Sequence, residues 1–583
     1  MEVSKPGRSP GSAMNTIDLQ PLRYHLTGLL LLVLVACGGS GGAGPTSDVP
    51  APGNPPPQPP PPVVVLEDAL ADHAFVSDHF SGSQNCAFCH DGLRDSSGLD
   101  VSIVAEWQAS MMANSSRDPV WRAKVASEIK RNPNLREEIE STCSRCHAPM
   151  AHVEAVFATA EIRLMDDGFL HPDNPLFDAA ADGVSCTLCH QVSDSADLGT
   201  DAGFSGNFEI PFVFGSDRVA FGQYNNPLAG PMVNQVAFTP ATSGHISESE
   251  VCGTCHNLST PVVDAQGNLT NESFPEQMVY TEWEHSDFAT TRSCQDCHLV
   301  RADGDVTIST RPMNGLTPRP EFARHNIVGG NTYLLDLLAR NAGDLEISAT
   351  GFDDLIADTR AFLGGAVSLG LEDVQKSNDE LHFSVRLSNH SGHKFPTSYP
   401  SRRAWLQVII SDAQGVVMFE SGAVDASGQI TGHAGDLDRA DVEPHYQTIR
   451  SESQVQSYET VMENADQNVT HTLLEARAYR KDNRLLPAGM DKASVPDTIR
   501  PRGEAFDDPD FIGGSDVVHY EIAGLVPGTY TIEARLNYQT LAYGFIQDLI
   551  ADDDDARVAL FRDLDHGAVT RVETIATATG SID

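Results

Sequence analysis

The sequence predicts a mixed fold, with short helices and loops first and an antiparallel β-sandwich domain after them. Three observations predict it. Ten of the eleven cysteines fall in five copies of C-x-x-C-H between Cys86 and His298. That stretch has little apolar/polar alternation and only short helical patterns, such as Asp118 to Lys130 and Asn134 to Glu140. After about Gly370 the pattern alternates, in Leu381 to Leu387, in Tyr530 to Tyr538 and partly in Ala404 to Ile410, with Gly-containing turns between the runs.

The N-terminus reads as an address. Leu29 to Ala36 is apolar, follows Arg23 and is too short to span a bilayer, as expected of a signal-peptide core. Leu34-Val35-Ala36-Cys37 resembles a bacterial lipobox, whose cysteine is acylated and becomes the first mature residue. Residues 1–36 are then a lipoprotein signal, with Met1 or Met14 as the start. Acyl chains on Cys37 hold by about 0.8 kcal/mol per buried CH₂. Gly38 stands where an aspartate commonly retains a lipoprotein at the inner membrane, which favours the outer membrane, on the periplasmic or cell-surface side. Residues 37–65, ending in PPPQPPPP, form a Gly/Pro-rich tether that extends as polyproline II. Residues 66–370 follow as the motif-bearing domain, closed by a helical connector with Thr332 to Arg340 as its clearest helix, and 371–583 as the sandwich.

Charge narrows the function. The chain carries 81 acidic and 38 basic residues, a net −43. That balance excludes nucleic acid and basic-patch docking on anionic lipid. It favours redox partners with basic docking surfaces. Charged residues are 20% and hydrophobic ones 40%, so the body is globular. Asp552-Asp553-Asp554-Asp555 lacks a spaced Ca²⁺-loop pattern and reads as a solvated run.

The motifs are Cys86/Cys89/His90, Cys143/Cys146/His147, Cys186/Cys189/His190, Cys252/Cys255/His256 and Cys294/Cys297/His298. Two thiols at this spacing add across the vinyl groups of a haem, and the adjacent histidine reaches its iron. Five such motifs imply five covalently bound haem c groups with His90, His147, His190, His256 and His298 as proximal ligands. Short helices and loops wrapped around these haems then replace an ordinary side-chain core. No cysteine remains for a disulfide framework.

Each iron also takes a distal ligand or stays open. Of 21 histidines, five are in motifs and His25 lies in the address segment. His79 and His245 each stand seven residues before a motif, and His152 stands five residues after His147. His285 sits in a Glu-Trp-Glu-His-Ser stretch, His325 before a Gly-Gly-Asn helix start, and His393 in Gly392-His393-Lys394-Phe395-Pro396-Thr397. These six are the distal candidates, with His73, His171 and His390 in reserve. His382, His433, His445, His471, His519 and His566 read as structural residues of the sandwich. Glu106-Trp107-x-x-Ser110 and Glu282-Trp283-x-x-Ser286 echo each other ahead of motifs. Met111 or Met112 could supply a thioether ligand, but an apolar helix face explains them better.

Over about residues 86–400 the chain resembles multihaem c-type cytochromes of the cytochrome c-554-like superfamily, which includes hydroxylamine oxidoreductase relatives. The W-x-x-S elements, the dispersed C-x-x-C-H motifs and the G-H-x-F-P-T stretch carry the resemblance. It implies that His393 is a distal ligand reaching in from the β-domain. It also implies a distal histidine two places after W-x-x-S, but Met112 and Phe288 stand there. Two functions follow. An electron carrier with mostly bis-histidine haems is favoured. The alternative is a multihaem oxidoreductase with one open haem for nitrite, hydroxylamine or sulfur oxyanions; a hydroxylamine-oxidase-like site would need a crosslinking tyrosine, and Tyr224, Tyr280 and Tyr399 are present without being placed by the sequence. All five motifs end in histidine, so the lysine-marked active haem of related nitrite reductases is missing. No catalytic residue is assigned.

Overall fold

In the computed structural model of the chain, residues 71–583 are described, apart from 265, 569 and 570. The signal segment, Cys37 and the tether lie outside the described residues. No helix among the described residues is long and apolar enough to cross a membrane.

Every C-x-x-C-H motif lies on a helix: Ser83–His90, Arg136–His147, Cys186–Cys189, Ser249–His256 and Cys294–His298, the helix over the third motif ending one residue before His190. A helical turn puts residues three and four apart on one face, so both thiols and the histidine of a motif point the same way. The helix expected over 118–130 is Pro119–Arg131, with the Asp118 carboxylate accepting the backbone N–H groups of Val120 and Trp121. The pattern at 134–140 belongs to a longer helix that starts at Arg136 and runs through the second motif to His147. Helix Thr332–Arg340 forms as expected, capped by the Asn331 side chain. Strands also occur in this region: an antiparallel hairpin, Asn257–Val263 with Leu269–Met278, and a short parallel pair, Val219–Gly222 with Thr239–Thr242.

The alternating runs after 370 are strands of two sheets. One is four-stranded: Val367–Ser377, Glu380–Asn389, Ser515–Ala523 and Thr448–Ile449, antiparallel except for the last pair. The other is seven-stranded and antiparallel, centred on Arg403–Asp412 beside Tyr530–Gln539. Leu381, Phe383, Val385 and Leu387 of one sheet share a core with Leu406, Val408, Ile410, Ile532 and Leu536 of the other. This is a sandwich, as the alternation predicts. Arg403–Asp412 alternates only in part because its second face is also covered. Trp405 packs there on Ile430 and Val455, and Arg403 pairs with Asp436 at 2.6 Å.

Two helices, Tyr543–Ile550 and Ala556–His566, interrupt the sandwich strands. They pack with Val120 and Ala123 of helix Pro119–Arg131 and with Tyr333 and Leu337, so β-domain residues and motif-region residues share a core. Val63–Asp583 accordingly forms one compact unit. Asp552 corrects the solvated-run expectation. It is buried and accepts from Ser127 Oγ (2.7 Å), Lys130 Nζ (2.9 Å) and Arg131 Nε (2.8 Å), tying the turn between these two helices to helix Pro119–Arg131.

Candidate haem-binding site

All ten motif cysteines are free thiols. Folding brings thiols of different motifs together. The thiols of Cys86 and Cys186, of Cys146 and Cys255, and of Cys252 and Cys294 lie near enough to shift each other's proton affinity. Cys189 lies close enough to Cys252 and Cys255 to feel their charge. The motifs therefore adjoin in the order first, third, fourth, fifth, and the second joins at the fourth. In two pairs this mutual influence splits the thiols: Cys146 is raised while Cys255 is lowered, and Cys252 is raised while Cys294 falls to about 7. At Cys189 burial dominates and pushes the thiol up to about 12. All ten cysteines are partly exposed, and burial disfavours the thiolate at Cys143 and Cys189.

The motif histidines are prepared as neutral ligands. Nδ1 of His90, His147, His190 and His298 faces the backbone carbonyls of Ile308 (2.8 Å), Ser115 (3.1 Å), Phe221 (2.6 Å) and Val328 (2.7 Å). A proton held there by a carbonyl fixes the tautomer and leaves the Nε2 lone pair for a metal. Burial lowers all five, with His147 and His256 at about 4, so the rings are uncharged at neutral pH. Helical spacing, free thiols and neutral imidazoles all fit a covalently held haem at each motif.

The distal candidates divide by geometry. His393 lies beside His298, with ring centres 6.3 Å apart and planes 16° from parallel. Two imidazoles on opposite sides of one metal ion, each bonded at about 2.0 Å, place their ring centres roughly 6 Å apart. The His393 Nδ1 donates to the Lys394 carbonyl (2.9 Å), so its Nε2 is also free. His79 is buried, with Nδ1 on Glu154 Oε2 (2.8 Å) and Nε2 without a partner, among the rings of Phe157, Phe212 and Phe214. His325 is lowered to about 4 by burial, then by His190 and His90, which places it beside the first and third motifs. Its Nδ1 is buried without a partner. His152 pairs through Nδ1 with Ser144 Oγ (2.8 Å) and is likewise lowered to about 4, mainly by burial. His285 faces the Thr281 carbonyl through Nδ1 (2.9 Å). His245 differs. Its Nδ1 meets Ser243 Oγ (2.7 Å) and its Nε2 donates to the Val192 carbonyl (2.8 Å), so neither nitrogen is free. Both ring nitrogens are thus hydrogen-bonded within the protein, which sets His245 apart from the other candidates. Met111 packs within two side-chain clusters of the connector and the β-domain helices, which accounts for it without a ligand role.

The loop carrying His393 is held by charges that no motif announced. Lys394 Nζ meets Asp482 Oδ2 (2.7 Å), Asp482 takes Arg484 through Nε (2.9 Å) and Nη2 (2.8 Å), and Arg484 Nη1 meets Glu282 Oε1 (2.9 Å). All four are buried. Burial pushes the Asp482 carboxyl up, but Arg484 and Lys394 outweigh it and hold it well below the usual range. Burial lowers Lys394, outweighing the opposing pull of Asp482 and Glu282. Gly489 (φ +86°) lets the next loop close on this region, since a Cβ there would come 2.3 Å from Asp287 Oδ1.

Among the described residues, His445, Asp508 and Asp516 form the one trio of metal-type donors gathered at close range. Hydrogen bonding argues against a metal there. Gln456 and Asn483 give their side-chain oxygens to the backbone N–H groups of Tyr446 and Glu459, so both turn their NH₂ groups to His445 Nδ1 (2.8 and 3.0 Å). Nε2 therefore carries the ring proton and donates to Asp508 (3.0 Å). A metal at Nε2 would demand an imidazolate. His445 is structural, as its place in the sandwich suggests.

No family model matches this chain, and no curated protein matches it. Among solved structures, a penta-heme cytochrome c552 from Thermochromatium tepidum is similar at 16% identity, with a TM-score of 0.45, over 86% of this chain and 99% of that one. A likeness at that level leaves the assignment to the chain's own residues.

Proposed function

We propose that this chain is an exported, lipid-anchored pentahaem c-type cytochrome that transfers electrons between redox partners. Cys86, Cys89, Cys143, Cys146, Cys186, Cys189, Cys252, Cys255, Cys294 and Cys297 hold the five haems. His90, His147, His190, His256 and His298 are proximal ligands. His79, His152, His285, His325 and His393 are the distal set, and His245 is left out because both its nitrogens are engaged. The observation that carries the reading is the near-parallel pair His298 and His393. When bound, haem iron supplies reversible one-electron chemistry. The chain's contribution is to cap each iron, keep the imidazoles neutral and set the motifs side by side. The thiol contacts support a path from the first through the third and fourth motifs to the fifth, with the second as a branch. The net charge of −43 favours a basic partner, and Cys37 holds the protein at a membrane face.

The test is EPR of the oxidised protein, with haem counted by pyridine haemochrome. Five low-spin haems per chain are expected. A haem count below five, or a stoichiometric high-spin signal, overturns the carrier reading.

One observation favours the oxidoreductase alternative. Glu128, Glu276 and Tyr399 gather near the Cys143 thiol, and Glu128 Oε2 and the Tyr399 hydroxyl have no partner. Burial pushes Glu276 up to about 7, so this cluster can hold a proton near neutral pH. If the high-spin signal is assigned to the second motif, nitrite, hydroxylamine and sulfite are the substrates to try.

A further inference from the structure

We propose that Glu106, Glu154 and Glu282 are positioning residues that set where three distal histidines stand. This rests on the ligand reading above. Each carboxylate grips the backbone at a histidine. Glu106 Oε2 accepts the His325 N–H (2.9 Å), while Oε1 takes Arg324 Nε (2.7 Å). Glu154 Oε1 accepts the His79 N–H (2.9 Å), while Oε2 holds its ring. Glu282 Oε2 accepts the Lys394 N–H (3.2 Å) and the Thr397 hydroxyl (2.5 Å). Lys394 is the residue whose carbonyl fixes the His393 ring.

Two of these glutamates open the paired E-W-x-x-S elements, and the geometry assigns each letter a task. The tryptophan anchors the short helix: Trp107 Nε1 donates to the Val184 carbonyl (3.1 Å) and Trp283 Nε1 to the Arg292 carbonyl (2.9 Å). The serine turns the chain after it: Ser110 Oγ accepts the Ala113 N–H (3.1 Å) and Ser286 Oγ the Phe288 N–H (3.2 Å). The glutamate reaches from this fixed base to a histidine-bearing loop that arrives from more than 100 residues away, at separations of 219 and 112 positions. A lone ion pair needs only the arginine. Here the second oxygen is spent on a backbone N–H at the ligand, which fixes position instead of charge.

The test compares Glu106→Ala, Glu106→Gln and His325→Ala in the full haem-loaded chain, by EPR spin count and haem content. His325→Ala should turn one iron in five high-spin. Glu106→Ala should give the same signal with haem content unchanged, reversed by added imidazole. Glu106→Gln should stay low-spin, because its amide oxygen still accepts the N–H. If His325→Ala goes high-spin and Glu106→Ala does not, the positioning role is wrong and the ligand reading stands. If His325→Ala leaves the spectrum unchanged, the ligand reading fails and the inference falls with it. Should Glu106→Ala not load haem, Glu282→Ala against His393→Ala gives the same comparison. If neither alanine variant loads haem, Glu106→Asp decides: a carboxylate one methylene shorter falls short of the His325 N–H and should give the high-spin signal, and a fully low-spin spectrum overturns the proposal.

Discussion

Replacing Lys394 with Met tests the buried charge network behind His393. Lys394 and Asp482 are 0% and 1% exposed at the side chain. Removing one partner of such a pair costs about 3–5 kcal/mol, because the other charge stays buried. Asp482 keeps Arg484 through two hydrogen bonds, so the low end applies, about 3 kcal/mol. At a urea slope of about 3 kcal/mol/M the unfolding midpoint falls by about 1 M. Tryptophan fluorescence can follow it, since Trp283 lies on the helix that Glu282 begins to anchor and Trp405 lies in the sandwich. The double variant Lys394→Met/Asp482→Asn should recover part of the loss, because it removes the stranded charge. A midpoint within about 0.2 M of the parent would refute the reasoning, since at that slope it leaves under about 1 kcal/mol for the pair.

Three further outcomes are expected. Replacing Cys86 and Cys89 together with Ala should lower the mass by one haem and leave four; an unchanged count would remove the first motif from the haem set. Asp552→Ala should cost about 1–3 kcal/mol by freeing Ser127, Lys130 and Arg131 at once, and a thermal melt matching the parent would dismiss that clamp. Glu276 sits at about 7 in the fold against about 4.5 unfolded, so the folded chain holds the extra proton. Stability therefore falls as pH rises from about 4.5 through 7, by up to about 3 kcal/mol. Glu276→Gln should flatten that slope and raise stability at pH 8, measured by urea midpoints across the range.

Much of the sandwich was legible because one side of each strand is buried and the side-chain period is two. Leu381, Phe383, Val385 and Leu387 show it without help from other segments. The motif helices were not assigned from the sequence, although the C-x-x-C-H spacing is compatible with a helical turn. Hairpin Asn257–Val263 with Leu269–Met278 was not legible, because Pro261 and Pro275 break its alternation and its register shifts twice. His245 shows the limit of spacing arguments: seven residues before a motif, it matches His79, yet tertiary contacts use both its nitrogens. The glutamate brackets were hidden for the opposite reason. The repeated E-W-x-x-S was visible, but its partners come from distant loops, and no local pattern names them.

The thiol contacts between motifs impose an order of assembly. Sulfur atoms as near as these can also be oxidised together, and secreted chains meet oxidants that make such bonds. Cys86 with Cys186, Cys146 with Cys255 and Cys252 with Cys294 are then three staples waiting to close in the wrong place. Each would take one thiol from each of two motifs and disable both for attachment. Three such bonds would disable every motif. On the proposed reading, maturation would require keeping this chain reduced and open until its thiols are spent, since a molecule that folded first would lock itself out.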